Sequence, residues 1–568
     1  MGTACTFHMT DCLTLSPFNL PTQDIAWVQS TLRALSTEDK LRQLFVFGQL
    51  VDDADQGAAI GKRKAGGVFR RWGQDLDKAW QTTQAVLANS EIPPFVAGDL
   101  EGGGFNFPGM SPMPNQMGVS AMNDLALSRE VAEVIAIEGR AMGFNWSFGP
   151  VVDINAALES AIVGTRSYGS DPARITEQAL AYIEGMQTQG LAATAKHWPG
   201  EGFDARDQHL VTTINPQNMD DWMASFGRIY SRLFEAGVMS VMAGHIALPA
   251  WVRHLQPEAG IEAFKPASVS RELNTVLLRE RLGFNGVLVS DATSMGGFNS
   301  WADRATMVPQ VIESGCDVFL FSRDPDGDLE FMRAGLRSGL LSERRLEEAV
   351  TRILGLKAKL GLHRKSRDER LMPLDQLREL LRNPRHMRVA EEAASASITC
   401  VKDLNVLPLD PKRHRRVVIA SGGIETNQLS GPHEPLTEIL NGLTSAGFEV
   451  RHFNVDEPPT RANTDLVLYL VAKESCMMTS RVYLDWRVLH GNAKPQAMRR
   501  FWHELPTVMV SFGHPAHLID APRVPAYINA YSAIKPVQAA VLRKLLGQEP
   551  FVGDSPIDAF CGLEDARW

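Results

Sequence analysis

The chain has 568 residues, 44% of them hydrophobic and 22% charged, with a formal net charge of −9. That length exceeds one ordinary hydrophobic core, and the composition is that of a globular chain and excludes dominant disorder. The acidic balance argues against a nucleic-acid backbone as the main partner, because phosphate binding needs a basic face. The short runs Lys62-Arg-Lys64 and Lys412-Arg-His-Arg-Arg416 read as solvated surface.

The first thirty residues hold no Lys or Arg and no unbroken apolar segment, so they lack both halves of a secretory signal. No stretch approaches the ~20 apolar residues that span a bilayer. Six cysteines (Cys5, Cys12, Cys316, Cys400, Cys476 and Cys561) stand without C-x-x-C spacing, which fits reduced thiols and neither a disulfide framework nor a zinc site. A soluble cytoplasmic chain with no membrane partner, no metal and no organic cofactor is expected.

In chain order, short β-branched or aromatic runs predict strands at Leu44 to Phe47, Gly67 to Phe69, Phe95 to Asp99, Asn145 to Asp153, Ala192 to His197, Val238 to His245, Gly286 to Asp291 and Val318 to Ser322. Longer amphipathic segments separate most of them. Eight strands, most ending in polar or charged residues, predict a (β/α)8 barrel over residues 1–363 with reacting groups beyond the strand C-termini. A doubly wound open sheet is the competing arrangement. Residues 364–396 are charged and predict a helical linker. Strands then resume at Arg416 to Ala420, Phe448 to Phe453, Leu466 to Val471, Val508 to Phe512 and Ala526 to Tyr531, with helices at Pro435 to Ala446 and Pro536 to Leu546. These predict a smaller α/β/α sandwich domain over residues 397–568.

The stretch KHWPGEGFDARDQH, Lys196 to His209, carries the strongest chemical signal. A proline and two glycines among charged residues make a tight loop whose backbone can lie close to a ligand, and Asp207-x-His209 lets a carboxylate orient an imidazole. The run Gly286-Val-Leu-Val-Ser-Asp291 delivers a single carboxylate at a strand end, followed by Ala292-Thr-Ser-Met295. A retaining glycosyl transfer needs a carboxylate nucleophile and a proton donor, and Asp291 and His209 suit those roles. An Asp capping the following helix, and a surface Asp-His pair, are the bland readings. Asp99, Arg166, Lys196, His197 and His245 fall at or beyond strand ends and suit hydroxyl recognition, with ion pairing of Asp99 to Lys196 as the alternative.

These residues resemble glycoside hydrolase family 3 from Ser36 to Asp558. The resemblance rests on Lys196-His-Trp-Pro-Gly-Glu-Gly202, Gly164-Thr-Arg-Ser-Tyr-Gly-Ser-Asp-Pro172 and Val289-Ser-Asp291 in the first half. In the second half it rests on Ser397-Ile-Thr-Cys-Val-Lys402, Asn405-Val-Leu-Pro-Leu409 and Val510-Ser-Phe-Gly-His-Pro515. The spacing Gly202-x4-Asp207-x-His209 is similar to the two-domain β-N-acetylglucosaminidase branch with its Asp-His dyad. The resemblance implies Asp291 as nucleophile, His209 as acid/base with Asp207 as its partner, and Asp99, Arg166, Lys196 and His197 as binders of the non-reducing-end sugar, with Met295 also in the substrate site. Where that branch commonly reads Glu-Gly-Gly-x-Val-x-Arg, this chain reads Glu101-Gly-Gly-Gly-Phe-Asn-Phe107. Phe107 thus exchanges a charge and several donors for apolar packing or stacking at the substrate site.

The expected activity is retaining, exo-acting β-N-acetylhexosaminidase action on a small-molecule carbohydrate. A β-glucosidase, made more plausible by Phe107, and a phosphorylase are the enzymatic alternatives. A histidine acid/base does not repel phosphate as a carboxylate would. A non-enzymatic sugar-binding barrel would lack a reacting group, and neither is missing. The sequence leaves the aglycone open among muropeptide, chitin fragment and glycolipid, and the assembly open, a homodimer included. The loop from Glu474 to Arg481 is a candidate cover for the pocket.

Overall fold

The computed structural model describes residues 11–366, 368–423, 436–475, 477–479, 481–492 and 494–568. Its first half runs β1 (Phe45–Gln49), β2 (Gly67–Arg70), β3 (Phe95–Gly98), β4 (Trp146–Ser147), β5 (Thr194–Trp198), β6 (Thr213–Ile214), β7 (Ser240–Ala243), β8 (Ile246–Ala247), β9 (Val287–Ser290) and β10 (Phe319–Leu320). A five-stranded parallel sheet has the order β10-β1-β2-β3-β4, and a three-stranded one the order β5-β7-β9. Isolated parallel bridges join Trp146 to Ala192 and Val289 to Val318 across the gaps between them. The result is an α/β fold around a curled parallel sheet.

The eight expected runs all contain strands, and most are shorter than the apolar stretches that reveal them. Every residue of β2, β3, β5, β7 and β9 is buried, so these segments show no alternation of buried and exposed positions. The stretch from Asn145 to Asp153 contributes only Trp146–Ser147. Pro150 has no N–H to continue a ladder there. The pair β6 and β8 is absent from the sequence expectation because two-residue strands leave no periodic signal.

Several helices between the strands begin on side-chain caps. Asp124 accepts from the amides of Ala126 and Leu127 ahead of Leu125–Ala141, and Asp171 accepts from Ala173 ahead of Pro172–Thr188. Such caps satisfy helix-start amides that otherwise lack partners, each worth about 1 kcal/mol. One contiguous apolar core runs from Leu13 to Ala393 and fills the space between sheet and helices. No helix among the described residues is long and apolar enough to cross a membrane.

The expected linker contains helices Leu374–Leu380 and Pro384–Ser397. The second packs on both Leu125–Ala141 and Lys535–Leu545, and His386 Nδ1 meets Glu138 Oε1 at 2.8 Å. The second half adds β11 (Thr399–Asp403), β12 (Arg416–Gly422), β13 (Glu449–His452), β14 (Leu466–Val471), β15 (Thr507–Ser511) and β16 (Ala526–Asn529). Their order is β11-β16-β15-β14-β12-β13, parallel except for β11 at one edge. The sequence reading anticipates five of these six. Edge strand β11 carries Lys402 and Asp403 and lacks the apolar run that marks the others.

Alternation along β14 shows why this sheet sits between two layers. Leu466, Leu468 and Leu470 join one apolar cluster, and Val467, Tyr469 and Val471 join another on the opposite face. Helices Thr437–Ser445 and Lys535–Leu545 supply Ile439, Leu443, Val537 and Val541 to the first cluster. Pro435, the expected start of the former helix, lies outside the described residues.

Candidate active site

The C-terminal ends of the parallel strands bring the candidate residues together. Asp99 follows β3, Lys196 and His197 lie on β5, and Asp291 follows β9, where its amide donates to Ala243 O at 2.8 Å. The Asp291 side chain is 12% exposed, with Oδ2 4.0 Å from His197 Nε2. The Ala292 amide donates to Asp291 Oδ1 at 2.7 Å. Burial pushes the Asp291 carboxyl up, but His197, His245, His209 and the Ala292 amide together hold it below its ordinary value. It is therefore a carboxylate at neutral pH.

His197 is fixed by its neighbour, since its Nδ1 meets Asp153 Oδ2 at 2.6 Å. That contact points Nε2 toward Asp291. His245 is fully buried, with Nδ1 2.9 Å from Ser268 Oγ and Nε2 3.0 Å from Ala292 O. Burial lowers its pKa. Both ring nitrogens are thus spent inside the protein, and His245 supports the Asp291-Ala292 turn where the sequence reading offers it to the sugar.

Asp207 and His209 form the expected pair. The ring Nδ1–H donates to Asp207 Oδ1 at 2.7 Å and the His209 amide donates to the same oxygen at 2.8 Å. The Asp207 side chain is 1% exposed and that of His209 is 18% exposed, so the imidazole carries the accessible edge. Burial raises the Asp207 pKa, but the His209 ring, its amide and the Met478 amide reverse this and keep it low.

The loop bearing the pair is held at several points. A Cβ on Gly202, at φ +109°, would lie 1.9 Å from Ile154 O, so only glycine fits this turn. The amides of Gly296 and Gly297 donate to His209 O at 2.7 Å and Gln208 O at 3.1 Å. A Cβ on Gly296 would meet Leu210 O at 2.3 Å. Met295, buried beneath this contact, sets the start of helix Gly296–Asn299. Gln208 Nε2 donates to Glu201 Oε2 at 2.9 Å, and its Oε1 accepts from the His245 amide at 2.8 Å.

A second cluster surrounds Glu101, which the sequence reading does not single out as a site residue. Arg166 donates from Nε and Nη2 to the two Glu101 oxygens at 2.9 Å each. Lys196 Nζ reaches Glu101 Oε1 at 2.7 Å and Asp99 Oδ1 at 3.0 Å. Burial alone would raise the Glu101 pKa, but Arg166 and Lys196 lower it to about 2. Phe105 lies under the Arg166 guanidinium at 5.3 Å. The ion pair between Asp99 and Lys196 is therefore real, and Arg166 spends two donors on Glu101.

Phe107 is buried and packs against Phe144 with ring centroids 5.1 Å apart. Asp153, His197 and Glu201 have ligand-type atoms within 4.8 Å of one another. They do not fit a metal site, because each already has a partner. Asp153 accepts from His197 and Glu201, and Glu201 accepts from Thr213 and Gln208. Burial, with Asp153, Asp207 and Asp291 nearby, raises the Glu201 pKa well above its ordinary value.

The second sheet region reaches the site through the segment after β14. Glu474 accepts from Asn115 Nδ2 and Ser532 Oγ, each at 3.1 Å, and Ser475 Oγ accepts from the Thr165 amide at 2.7 Å. Within the expected covering loop, Cys476 and Ser480 lie outside the described residues. The whole arrangement offers an ionised carboxylate, an imidazole held by a buried carboxylate, and a cluster of charged hydrogen-bonding groups.

Known proteins resemble this chain in sequence and in fold. Residues 36–356 match the Glycosyl hydrolase family 3 N terminal domain. A Beta-N-acetylglucosaminidase/beta-glucosidase of Cellulomonas fimi is 39% identical over 570 residues, covering 98% of this chain and 99% of its own. The structure of beta-glucoside phosphorylase BglX bound to 2FGlc is 34% identical with a TM-score of 0.90, covering 98% of this chain and 100% of that one. A glycoside hydrolase family 3 beta-N-acetylglucosaminidase from Paenibacillus sp. str. FPU-7 shares the fold, with a TM-score of 0.76 at 23% identity over 93% of this chain and 100% of that one. By the match across its first half and by full-length relatives, the chain belongs to glycosyl hydrolase family 3.

Proposed function

We propose that this glycosidase is a retaining, exo-acting enzyme that removes terminal β-linked sugars of the glucose and N-acetylglucosamine type. The observation that carries the reading is the 2.7 Å contact between Asp207 and His209, on a loop tied to the residues just beyond Asp291. A closed eight-stranded barrel, residues 1–363, would carry the site. The bridges from Trp146 to Ala192 and from Val289 to Val318 support that closure. Residues 364–396 would link it to an α/β/α domain over 397–568.

In the first step an Asp291 oxygen attacks the anomeric carbon as the bond to the leaving oxygen breaks. His209, protonated on Nε2 and held through Nδ1 by Asp207, gives its proton to that oxygen. In the second step water attacks the anomeric carbon of the glycosyl ester, its proton returns to Nε2, and Asp291 leaves as carboxylate. Asp99, Lys196 and His197 would hold the sugar hydroxyls, with Arg166 acting through its pairing with Glu101. Phe107, packed on Phe144, offers no donor to an N-acetyl group, which supports acceptance of glucose alongside the N-acetylated sugar. That breadth agrees with the double name of the 39%-identical relative.

Phosphorolysis is the second reading, with phosphate replacing water in the second step. It is favoured by the accessible imidazole edge, with the Asp207 charge buried behind it, and by the likeness to a beta-glucoside phosphorylase at 34% identity. The decisive measurement is the initial rate on 4-nitrophenyl β-glycosides of N-acetylglucosamine, N-acetylgalactosamine and glucose, with and without phosphate. Turnover of the glucose and N-acetylglucosamine compounds to free sugar supports hydrolysis. Phosphate stimulation with sugar 1-phosphate as product supports the second reading, and no turnover of any compound overturns both.

A further inference from the structure

A cavity of about 460 Å³ opens beside Asp99. Its walls include Phe69, Trp72, Phe105 and Phe107, with Arg71 and Arg382 among its charged groups. Arg71 follows β2, next to β3, which delivers Asp99. Counting the two isolated bridges, β9, which Asp291 follows, stands four strands from β3 in either direction. The cavity thus lies at the end of the site opposite Asp291. On the function proposed above, on which this inference rests, Asp291 meets the anomeric carbon and the cavity meets the non-reducing end of the same sugar.

The polar groups of this cavity are unbalanced. Asp99 is neutralised by Lys196 at 3.0 Å, and Glu474 accepts from Asn115 and Ser532. The cations have no carboxylate partner among the described residues. Arg71 is largely desolvated and feels the Asp99 charge, yet no hydrogen bond or ion pair reaches its guanidinium among the described residues. Arg382 spends Nε on Met110 O at 2.8 Å, which leaves its two terminal nitrogens for a ligand. Burying donors without acceptors is costly, and two guanidinium groups on one cavity favour an acceptor-rich anion that a fork-shaped cation can grip.

We infer that this cavity is a subsite for an anionic substituent, a carboxylate or a phosphate, carried near C6 of the terminal sugar. Arg71 and Arg382 would grip the anion, and the aromatic walls would shield it from water. The substrates would include β-glycosides of uronic acids or of 6-phosphorylated sugars alongside neutral ones.

Calorimetric titration of the full-length Asp291→Asn protein with glucose, glucuronate and glucose 6-phosphate tests this without needing turnover. At least tenfold tighter binding of one anionic sugar than of glucose is expected, and which anion wins separates carboxylate from phosphate. Arg71→Met should erase the preference and Arg71→Lys should keep part of it, which distinguishes lost charge from lost folding. Equal or weaker binding of both anions, or a preference that survives Arg71→Met, overturns the inference. If that happens while the parent still cleaves neutral aryl glycosides, the glycosidase reading stands. If the anions bind tightly and no aryl glycoside is cleaved, the subsite stands and that reading falls.

Discussion

The Met478 amide donates to Asp207 Oδ2 at 2.7 Å, across 271 residues of chain. The other Asp207 oxygen serves His209, so one buried carboxylate joins the loop after β5 to the segment after β14. Asp207→Asn would offer the imidazole an amide in place of a charge and lose one of the two oxygen acceptors. Its kcat should fall about 10²- to 10⁴-fold with KM little changed, as for other carboxylates that orient a catalytic histidine. Steady-state kinetics on 4-nitrophenyl glycosides reads this, and a change confined to KM would remove Asp207 from the orienting role.

Asp291→Asn should abolish turnover, with a loss on the order of 10⁴-fold or more, since an amide cannot form the glycosyl ester. In the parent enzyme the imidazoles around Asp291 keep its pKa below the ordinary carboxylate value. Lowering the pH protonates it only below that range, so the acid limb of kcat/KM due to this group should lie below the ordinary carboxylate pKa. Trapping with a 2-fluoro glycosyl donor, followed by mass spectrometry of the peptide bearing Asp291, gives an independent check. A label on another residue would exclude Asp291 as nucleophile.

Glu201 has the opposite linkage. Its folded pKa is raised, so the native state holds a proton that the unfolded state releases near pH 4.5. Stability from this group is full below that pH and is lost as pH rises toward the folded value. Glu201→Gln keeps one of the two acceptor oxygens, offers Thr213 or Gln208 an amide in place of the other, and has no charge to bury. Its thermal midpoint, compared with the parent from pH 5 to pH 9, should gain steadily with pH. A constant difference would show that Glu201 is ionised in the folded protein.

Glu101 compensates two buried cations, and its removal should be expensive. Glu101→Ala leaves Arg166 and Lys196 short of their shared partner, and breaking such a buried network costs about 3–5 kcal/mol. With a folded pKa of about 2 against an unfolded value near 4.5, the stabilisation is full above pH 4.5 and fades as pH falls toward 2. Chemical denaturation at pH 7 and at pH 3 should therefore show a larger penalty at pH 7. Equal penalties would mean that packing, not charge, supplies the Glu101 contribution.

Much of this protein is written locally in its sequence. Most strands buried on both faces appear as short apolar or β-branched runs, so β1 to β5, β7, β9 and β10 are legible, and the turn residues Gly200 and Gly202 announce the loop that bears Asp207 and His209. Asp207 and His209 are two residues apart, so their pairing needs no knowledge of the fold. Asp291 is legible because a strand end places a charge where an apolar run stops. Tertiary structure decided the rest. Glu101 meets Arg166 across 65 residues and Met478 meets Asp207 across 271, and no local pattern marks either contact. The sequence can name Phe107 as a departure, but only packing turns its ring onto Phe144. His245 ends a predicted strand much as His197 does, yet one ring is spent on Ser268 and Ala292 while the other faces Asp291. Propensity and periodicity act over a few residues, whereas the partner of a buried polar group is chosen by whatever the closed fold brings within three ångströms of it.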